Sequence, residues 1–230
     1  MPRRPQSRGK CQYCREETSR SGMLKHLATC SQRAQLIQNA NAAKQSEETL
    51  WHLRVQDAYG KDFWLNLEMR GSASLEKLDA YLRAIWLECC GHLSKYTVGG
   101  WGGYDIGKSR RADDVFEEET ALLHLYDFGT TSETEIHVVG SRKGRATTKH
   151  PIALMARNNI PEMLCKECNK PAAFLCFECL YEADDEFGSW FLCDEHAEDH
   201  PHTEYGEPIP LVNSPRLGMC GYDGPAEPPY

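Results

Sequence analysis

The side chains with reactive potential in this chain are mostly cysteines and histidines, and they come in pairs. From Met163 to His202 the ligand-type residues run Cys165-x2-Cys168-x7-Cys176-x2-Cys179-x13-Cys193-x2-His196-x3-His200-x-His202. Two intervening residues let one tight turn aim both side chains of a pair at a common ion. Thiolate sulfur and imidazole nitrogen at that spacing suit tetrahedral Zn2+. Four such groups close one site, so these eight predict two.

A second set lies near the amino terminus, where Cys11-Gln-Tyr-Cys14 is followed by His26-x3-Cys30. This is a small CCHC finger pattern: a knuckle supplies two thiolates, and a helix around Met23–Leu27 supplies His and Cys four apart on one face. Ser19 or Ser21 is available as its N-cap, and Leu24 and Leu27 can cover the ion. So short a module has almost no core, and metal binding is expected to supply its folding energy. The two ends together predict three Zn2+ ions. A catalytic zinc keeps a coordination position open beside a general base, whereas fully paired ligands point to closed structural sites.

Composition narrows the remaining classes. The 230 residues suffice for one substantial core plus small modules. No apolar run approaches a membrane span, and Met1-Pro-Arg-Arg-Pro-Gln-Ser-Arg has no apolar stretch behind it, so no secretory signal is expected. Eleven cysteines, an odd number at metal-like spacing, fit a reducing cytoplasm better than a disulfide framework. The net charge of −8 is uneven. Residues 1–25 are basic, with Arg15, Arg20 and Lys25 beside the finger, and Arg142, Lys143, Arg145 and Lys149 form a second basic patch. Acidic runs occupy Asp113–Glu119 and Asp184–Glu186. These patches keep nucleic-acid contact open.

The elements between the two ends read as one α+β domain over residues 49–160. Alternation over Thr49–Ala58 and Phe63–Met69, with Gly60 between, predicts a hairpin. Leu75, Leu78, Leu82, Ile85, Trp86 and Cys89 form one apolar stripe, predicting a helix over Ser72–Cys89 with Ser74 as N-cap and Gly91 as a left-handed stop. Further strands are expected over Leu93–Val98, Leu122–Phe128, Glu135–Gly140 and Ile152–Asn158, with a short helix near Val115–Phe116. His124 and His137 are expected to be packed, hydrogen-bonded residues. Cys89-Cys90-Gly91-His92 invites a catalytic or metal role. Adjacent cysteines point apart in a regular element, however, and a helix end favours small apolar thiols, so a structural role is expected first. The result is a mostly antiparallel sheet with a covering helix, plus two small zinc-stabilised modules. Residues 1–30 form the finger with its basic leader, 31–48 a linker or helix, 161–207 the two-zinc module and 208–230 a tail that packs back before Pro-rich disorder.

Two resemblances attach to these residues. Leu78 to Ser94, with the aromatic-Asp-Phe-Gly turn Tyr126–Gly129, resembles the plasmid ORF-three-like domain, over about Leu50 to Val139. Members of that family are often labelled transposon passenger proteins, and the resemblance implies a fold and a mobile-element setting but no established reaction. The apolar-apolar-Cys repeats at Met163, Phe174 and Phe191 resemble a B-box-type cross-brace domain. That resemblance implies one site from Cys165, Cys168, Cys193 and His196 and another from Cys176, Cys179, His200 and His202, usually serving protein contacts. A sequential treble-clef pairing, or a site using Cys220, stays open; otherwise Cys220 is a buried or free thiol.

The function expected from the sequence is a non-enzymatic, zinc-stabilised protein-interaction module. The alternative is a nucleic-acid-associated regulator of a plasmid or mobile element, touching phosphates through the finger and Arg142–Lys149. A third class, a metal-dependent hydrolase or nuclease, requires Asp127, His92 and Glu133 to line one pocket. Asp127 stands out among these three because it ends a strand before Gly129. Its plain role would be to accept N–H bonds across the turn.

Overall fold

The computed structural model describes residues 7–42, 44, 46–182, 190–202 and 204–230. The acidic run Asp184–Glu186 and the start of the basic leader fall outside them. The hairpin predicted around Gly60 forms the middle of the molecule. Strand β3 (Glu48–Asp57) pairs with β4 (Trp64–Arg70) from Leu50 opposite Arg70 to Gln56 opposite Trp64. This register puts Trp51, Leu53 and Val55 on the buried face together with Leu65, Leu67 and Met69. The predicted helix packs on this face: α3 (Leu75–Leu82) continues into a π-helical turn (Arg83–Leu87), burying Leu75, Leu78, Leu82, Ile85 and Trp86 against it.

The helix is shorter than the apolar stripe suggested. It starts after Ser74, whose side chain makes no capping bond. It stops at Leu87, because Glu88 turns extended. Cys89 and Cys90 therefore lie in an irregular segment. Gly91 is left-handed as expected, at φ +83°, but stands beyond the helix end.

The other strands are β5 (Ser94–Val98), β6 (Tyr104–Ile106), β7 (Ala121–Tyr126), β8 (Ser132–Gly144) and β9 (Ile152–Asn158). Instead of a helix at Val115–Phe116, a 3-10 turn precedes them at Ala112–Asp114. With β1 (Arg8–Cys11) and β2 (Glu17–Ser19) the strands form a nine-stranded sheet in the order β2-β1-β9-β4-β3-β8-β7-β5-β6. Every neighbouring pair is antiparallel.

The finger thus shares the central sheet. Gly9 lies opposite Asn158, and a Cβ there would sit 2.2 Å from the Arg157 carbonyl oxygen and 2.5 Å from the Trp64 ring. Helix α1 (Arg20–Thr29), capped by Ser19 Oγ accepting from Gly22 N at 3.2 Å, drops Met23 and Leu27 onto Trp64, Met155 and Ala156. The finger therefore has an apolar core, supplied by the sheet, which its own length could not build. Helix α2 (Ser31–Asn41) follows and buries no residue. It is held by Arg33, which donates to the Leu27 carbonyl at 3.0 Å and approaches Glu68, and by Asn41, which accepts from the Arg145 amide.

The carboxy-terminal module has little apolar interior. Strands β10 (Phe174–Leu175), β11 (Phe191–Leu192) and β12 (Ile209–Pro210) form a separate sheet in the order β11-β10-β12, with α4 (Phe177–Glu182) and α5 (Asp194–Glu198) beside it. Its buried cluster is Cys176, Cys179, Leu192 and Ala197, so half of it is thiol. Beyond β12 the chain returns across the central domain as a strap ending in a 3-10 turn (Met219–Gly221) and a terminal segment. Ser214 Oγ donates to the Trp86 carbonyl at 2.6 Å, Asn213 pairs with Asn158, and Tyr230 stacks on His150 at 4.0 Å. The Pro-rich end expected to be disordered is seated on the domain.

Candidate metal centres

The local chain geometry explains the first site. The end of β1 presents Cys11 and the turn after it Cys14, while α1 presents His26 and is followed by Cys30. These four meet with their ligand atoms within 4.8 Å of one another. Cys11 Sγ and Cys30 Sγ are 4.0 Å apart, and Cys14 Sγ lies 3.2 Å from His26 Nε2. The other ring nitrogen, Nδ1, faces Glu16 Oε2 at 3.3 Å, a carboxylate–histidine pairing that orients a metal-binding imidazole.

The carboxy-terminal eight divide alternately. Cys165, Cys168, Cys193 and His196 converge in one group, and Cys176, Cys179, His200 and His202 in the other. In the first, Cys168 Sγ is 3.8 Å from Cys193 Sγ, and His196 Nδ1 is 3.3 Å from Cys193 Sγ and 3.5 Å from Cys165 Sγ. In the second, Cys179 Sγ lies 3.3 Å from both His200 Nε2 and His202 Nδ1. Strands β10 and β11 end immediately before Cys176 and Cys193, and Leu164, before Cys165, makes a single bridge to Pro171.

These separations suit the chemistry of the donors. A tetrahedral Zn2+ with ligands at about 2.3 Å (S) and about 2.0–2.1 Å (N) sets sulfurs about 3.8 Å apart and sulfur about 3.6 Å from nitrogen. A disulfide would bring the sulfurs to about 2.05 Å. The surroundings favour thiolate at Cys165, whereas burial pushes the thiols of Cys11 and Cys176 up. Burial pushes the Cys165 thiol up, but the N–H groups of Cys193, Glu167 and Cys168 outweigh it and bring it to about 6. Lys166 Nζ donates to Cys179 Sγ at 3.2 Å.

A further group comes together that the sequence did not pair: Cys89, Cys90, His92 and Cys220. The expectation of buried thiols at a helix end does not hold for Cys90, which is exposed. Because the segment after Leu87 is irregular, adjacent side chains need not diverge, and Cys89 Sγ and Cys90 Sγ stand 3.7 Å apart. The available signal was Cys-Cys-x-His together with an unassigned Cys220; what was missing was any reason to join residues 128 positions apart.

The three residues of the possible pocket, Asp127, His92 and Glu133, are only partly brought together. His92 Nε2 is 3.4 Å from Asp127 Oδ2. Asp127 is buried at φ +66°; its Oδ1 accepts from Gly129 N at 3.0 Å, the turn role expected of it, and its Oδ2 accepts from Arg216 Nη2 at 2.6 Å. Burial pushes the Asp127 carboxyl up, but the Arg216 hydrogen bond and the turn amides outweigh it and hold the group below its usual range. Glu133 follows buried Ser132 on β8 and so faces the opposite side of the strand, where it accepts from Tyr59 and from Trp101 Nε1.

The basic residues are mostly engaged within the chain. Arg142 is bidentate to Glu68 at 2.9 and 2.7 Å, Lys143 donates to Thr49 Oγ1, and Arg145 donates to the Asn41 carbonyl. Arg15 donates to Gln12, and Arg20 to Gln56 and the Lys61 carbonyl. Lys25 and Lys149 are exposed. Of the packed histidines expected, His124 is fully buried on Asp79, and His137 is half-buried beside Glu135. No helix among the described residues is long and apolar enough to cross a membrane.

No family model matches the chain, and no curated protein matches it. A solved structure that does match is a protein of unknown function from Methanosarcina mazei Go1, at 16% identity and a TM-score of 0.39, over 45% of this chain and 66% of that one. The chain is a mostly antiparallel α+β protein with, among the described residues, four Cys/His groups able to hold metal ions.

Proposed function

We propose that this is a non-enzymatic, zinc-stapled protein-binding module of a reducing compartment. In this reading the finger ligands hold one Zn2+ and the carboxy-terminal eight hold two. The observation that carries it is the completeness of those sets: each offers four nitrogen or sulfur donors, so no coordination position is left for substrate or water. Asp127, the best candidate for a general base, is tied to Arg216, and Glu133 lies on the other strand face, which supports this reading over a hydrolase.

The sheet's outer edge supports a protein partner. Strand β6 has one unpaired side, and beside it Val98, Trp101 and Tyr104 are 40%, 49% and 84% exposed. Aromatic anchors at a free strand edge are the usual makings of a protein contact. The basic patches support a nucleic-acid role less, because Arg142 is already paired bidentately with Glu68 and Arg145 with the Asn41 carbonyl.

The test compares wild type with a Trp101→Ala, Tyr104→Ala double variant, measuring zinc per chain and the proteins cross-linked to each in extracts of the source cell. A specific partner recovered with wild type and lost with the variant, at unchanged zinc content, is the expected result. Zinc-dependent hydrolysis that Asp127→Asn abolishes would overturn the reading. Salt-sensitive retention on DNA or RNA with no protein partner would also overturn it.

A further inference from the structure

We infer that Cys89, Cys90, His92 and Cys220 form a fourth Zn2+ site, separate from the other three, whose ion clasps the carboxy-terminal strap onto the end of the π-helical turn. The donor set is chemically complete, with three thiols and one imidazole whose ligand atoms all lie within 4.8 Å of one another. Cys90 Sγ stands 3.7 Å from Cys89 Sγ, 3.9 Å from Cys220 Sγ and 3.1 Å from His92 Nε2, and His92 Nε2 stands 3.3 Å from Cys220 Sγ. These are close to the edges of a zinc tetrahedron and far from a disulfide.

Two features of the strap point the same way. Cys220 adopts φ +51°, a left-handed conformation that favours glycine, and it sits between two left-handed glycines, Gly218 and Gly221. A side chain held in that region marks a position fixed by something beyond local preference. Four residues earlier, the fully buried Arg216 donates to Cys89 Sγ at 3.4 Å and to Asp127 Oδ2 at 2.6 Å, and its guanidinium lies 4.9 Å over the Tyr126 ring. A hydrogen bond from an arginine to a ligand sulfur is an outer-shell contact of the kind that tunes metal sites. The cation also offsets the negative charge that three thiolates around one dication leave.

The site differs from the others in exposure. Cys90 and Cys220 are exposed, whereas the other three groups each bury at least two cysteines. Its ion is therefore the one most open to exchange, and losing it loosens the Met219–Gly221 turn while Arg216 and Ser214 still seat the rest of the strap and the finger and the carboxy-terminal module stay intact.

The experiment uses the full chain purified under reducing conditions, with zinc per chain measured for wild type, Cys220→Ser and Cys90→Ser, followed by graded chelation and limited proteolysis. Four equivalents in wild type and three in each variant are expected. The first equivalent removed from wild type should expose the Met219–Gly221 turn to protease, as each variant does from the start. If the variants fail to fold, graded chelation and proteolysis of wild type decide alone. Three equivalents in wild type and in both variants would overturn the clasp and leave the proposed function standing. So would a Cys90–Cys220 disulfide in the isolated, three-zinc protein. A chain without zinc would overturn both.

Discussion

Arg216 Nη2 lies 2.6 Å from Asp127 Oδ2, with the arginine side chain fully buried and the aspartate nearly so, although the two residues are 89 positions apart. The same guanidinium donates to the Thr130 carbonyl and to Ser132 Oγ, so one side chain of the strap gathers the whole β7–β8 turn. Removing it leaves a carboxylate buried without its partner. Arg216→Ala is expected to cost about 3–5 kcal/mol in urea unfolding. Asp127→Asn in the same chain should return part of that loss, because no uncompensated charge then remains. Equal costs for the single and double variants would show the pair to be unimportant.

Acid should weaken the fold through a second buried network. Asp79 accepts from Ser94 Oγ at 2.6 Å, from His124 Nε2 at 2.8 Å and from Lys108 Nζ at 3.3 Å. Burial pushes the Asp79 carboxyl up, but the hydrogen bonds from His124 and Ser94, with the charge of Lys108, outweigh it and hold the group well below its usual range. Burial pushes the His124 imidazole down. Both groups bind protons more readily once unfolded, so unfolding takes up protons as pH falls. The stabilisation is complete above about pH 6.5, the free-histidine value, and declines as pH drops through the folded His124 value. A second decline begins below about pH 4, as the unfolded carboxylate protonates. Urea titrations from pH 4 to 8 should show His124→Gln losing the upper decline and costing about 1–3 kcal/mol at pH 7. A wild-type profile that is flat between pH 5 and 7 would refute the assignment.

Chelation should act unequally on the two ends. The finger packs Met23 and Leu27 on Trp64 and Met155, whereas the carboxy-terminal cluster is half cysteine. Between these two ends, a chelator at neutral pH is therefore expected to raise hydrogen exchange in β10, β11 and α5 before the β1–β9 ladder, which stays protected. Simultaneous loss of protection at both ends would mean that the sheet contributes nothing to the finger.

The seam between finger and sheet can be tested directly. A Cβ at Gly9 meets the Arg157 carbonyl and the Trp64 ring, so Gly9→Ala must push β1 off β9. A cost of about 1–3 kcal/mol is expected. Trp64→Ala, which empties a fully buried site, should cost about 3–5 kcal/mol. Thermal melts that match wild type for Gly9→Ala would show that the finger is independently stable.

Much of this molecule follows from local pattern. Alternation located β3 and β4, short apolar runs located β7, β8 and β9, and the stripe from Leu75 to Trp86 located the covering helix, because each pattern is confined to a few residues. The stripe overran the helix end because apolar spacing does not register where Glu88 leaves helical geometry. The order of the strands was not legible. Nothing near Arg8–Cys11 announces a partner at Asn158, since backbone pairing is available to any extended segment.

The metal groups divide along the same line. Spacings of two to four residues made Cys11, Cys14, His26 and Cys30 recognisable, as they did the carboxy-terminal eight, because a turn or a helical face fixes the reach of such pairs. Cys220 carried no such mark. It meets Cys90 and His92 only because Arg216 and Ser214 seat the strap on the central domain, and a contact set by packing between distant segments leaves no period to read. The sequence alone thus determined which side chains can bind metal and most of the elements that carry them. Tertiary structure decided that the finger shares the central sheet, that Asp127 pairs with Arg216 and not with Glu133, and that the chain's last free cysteine completes a fourth group. In each case the burial of distant residues against one another supplies the constraint that sequence spacing lacks.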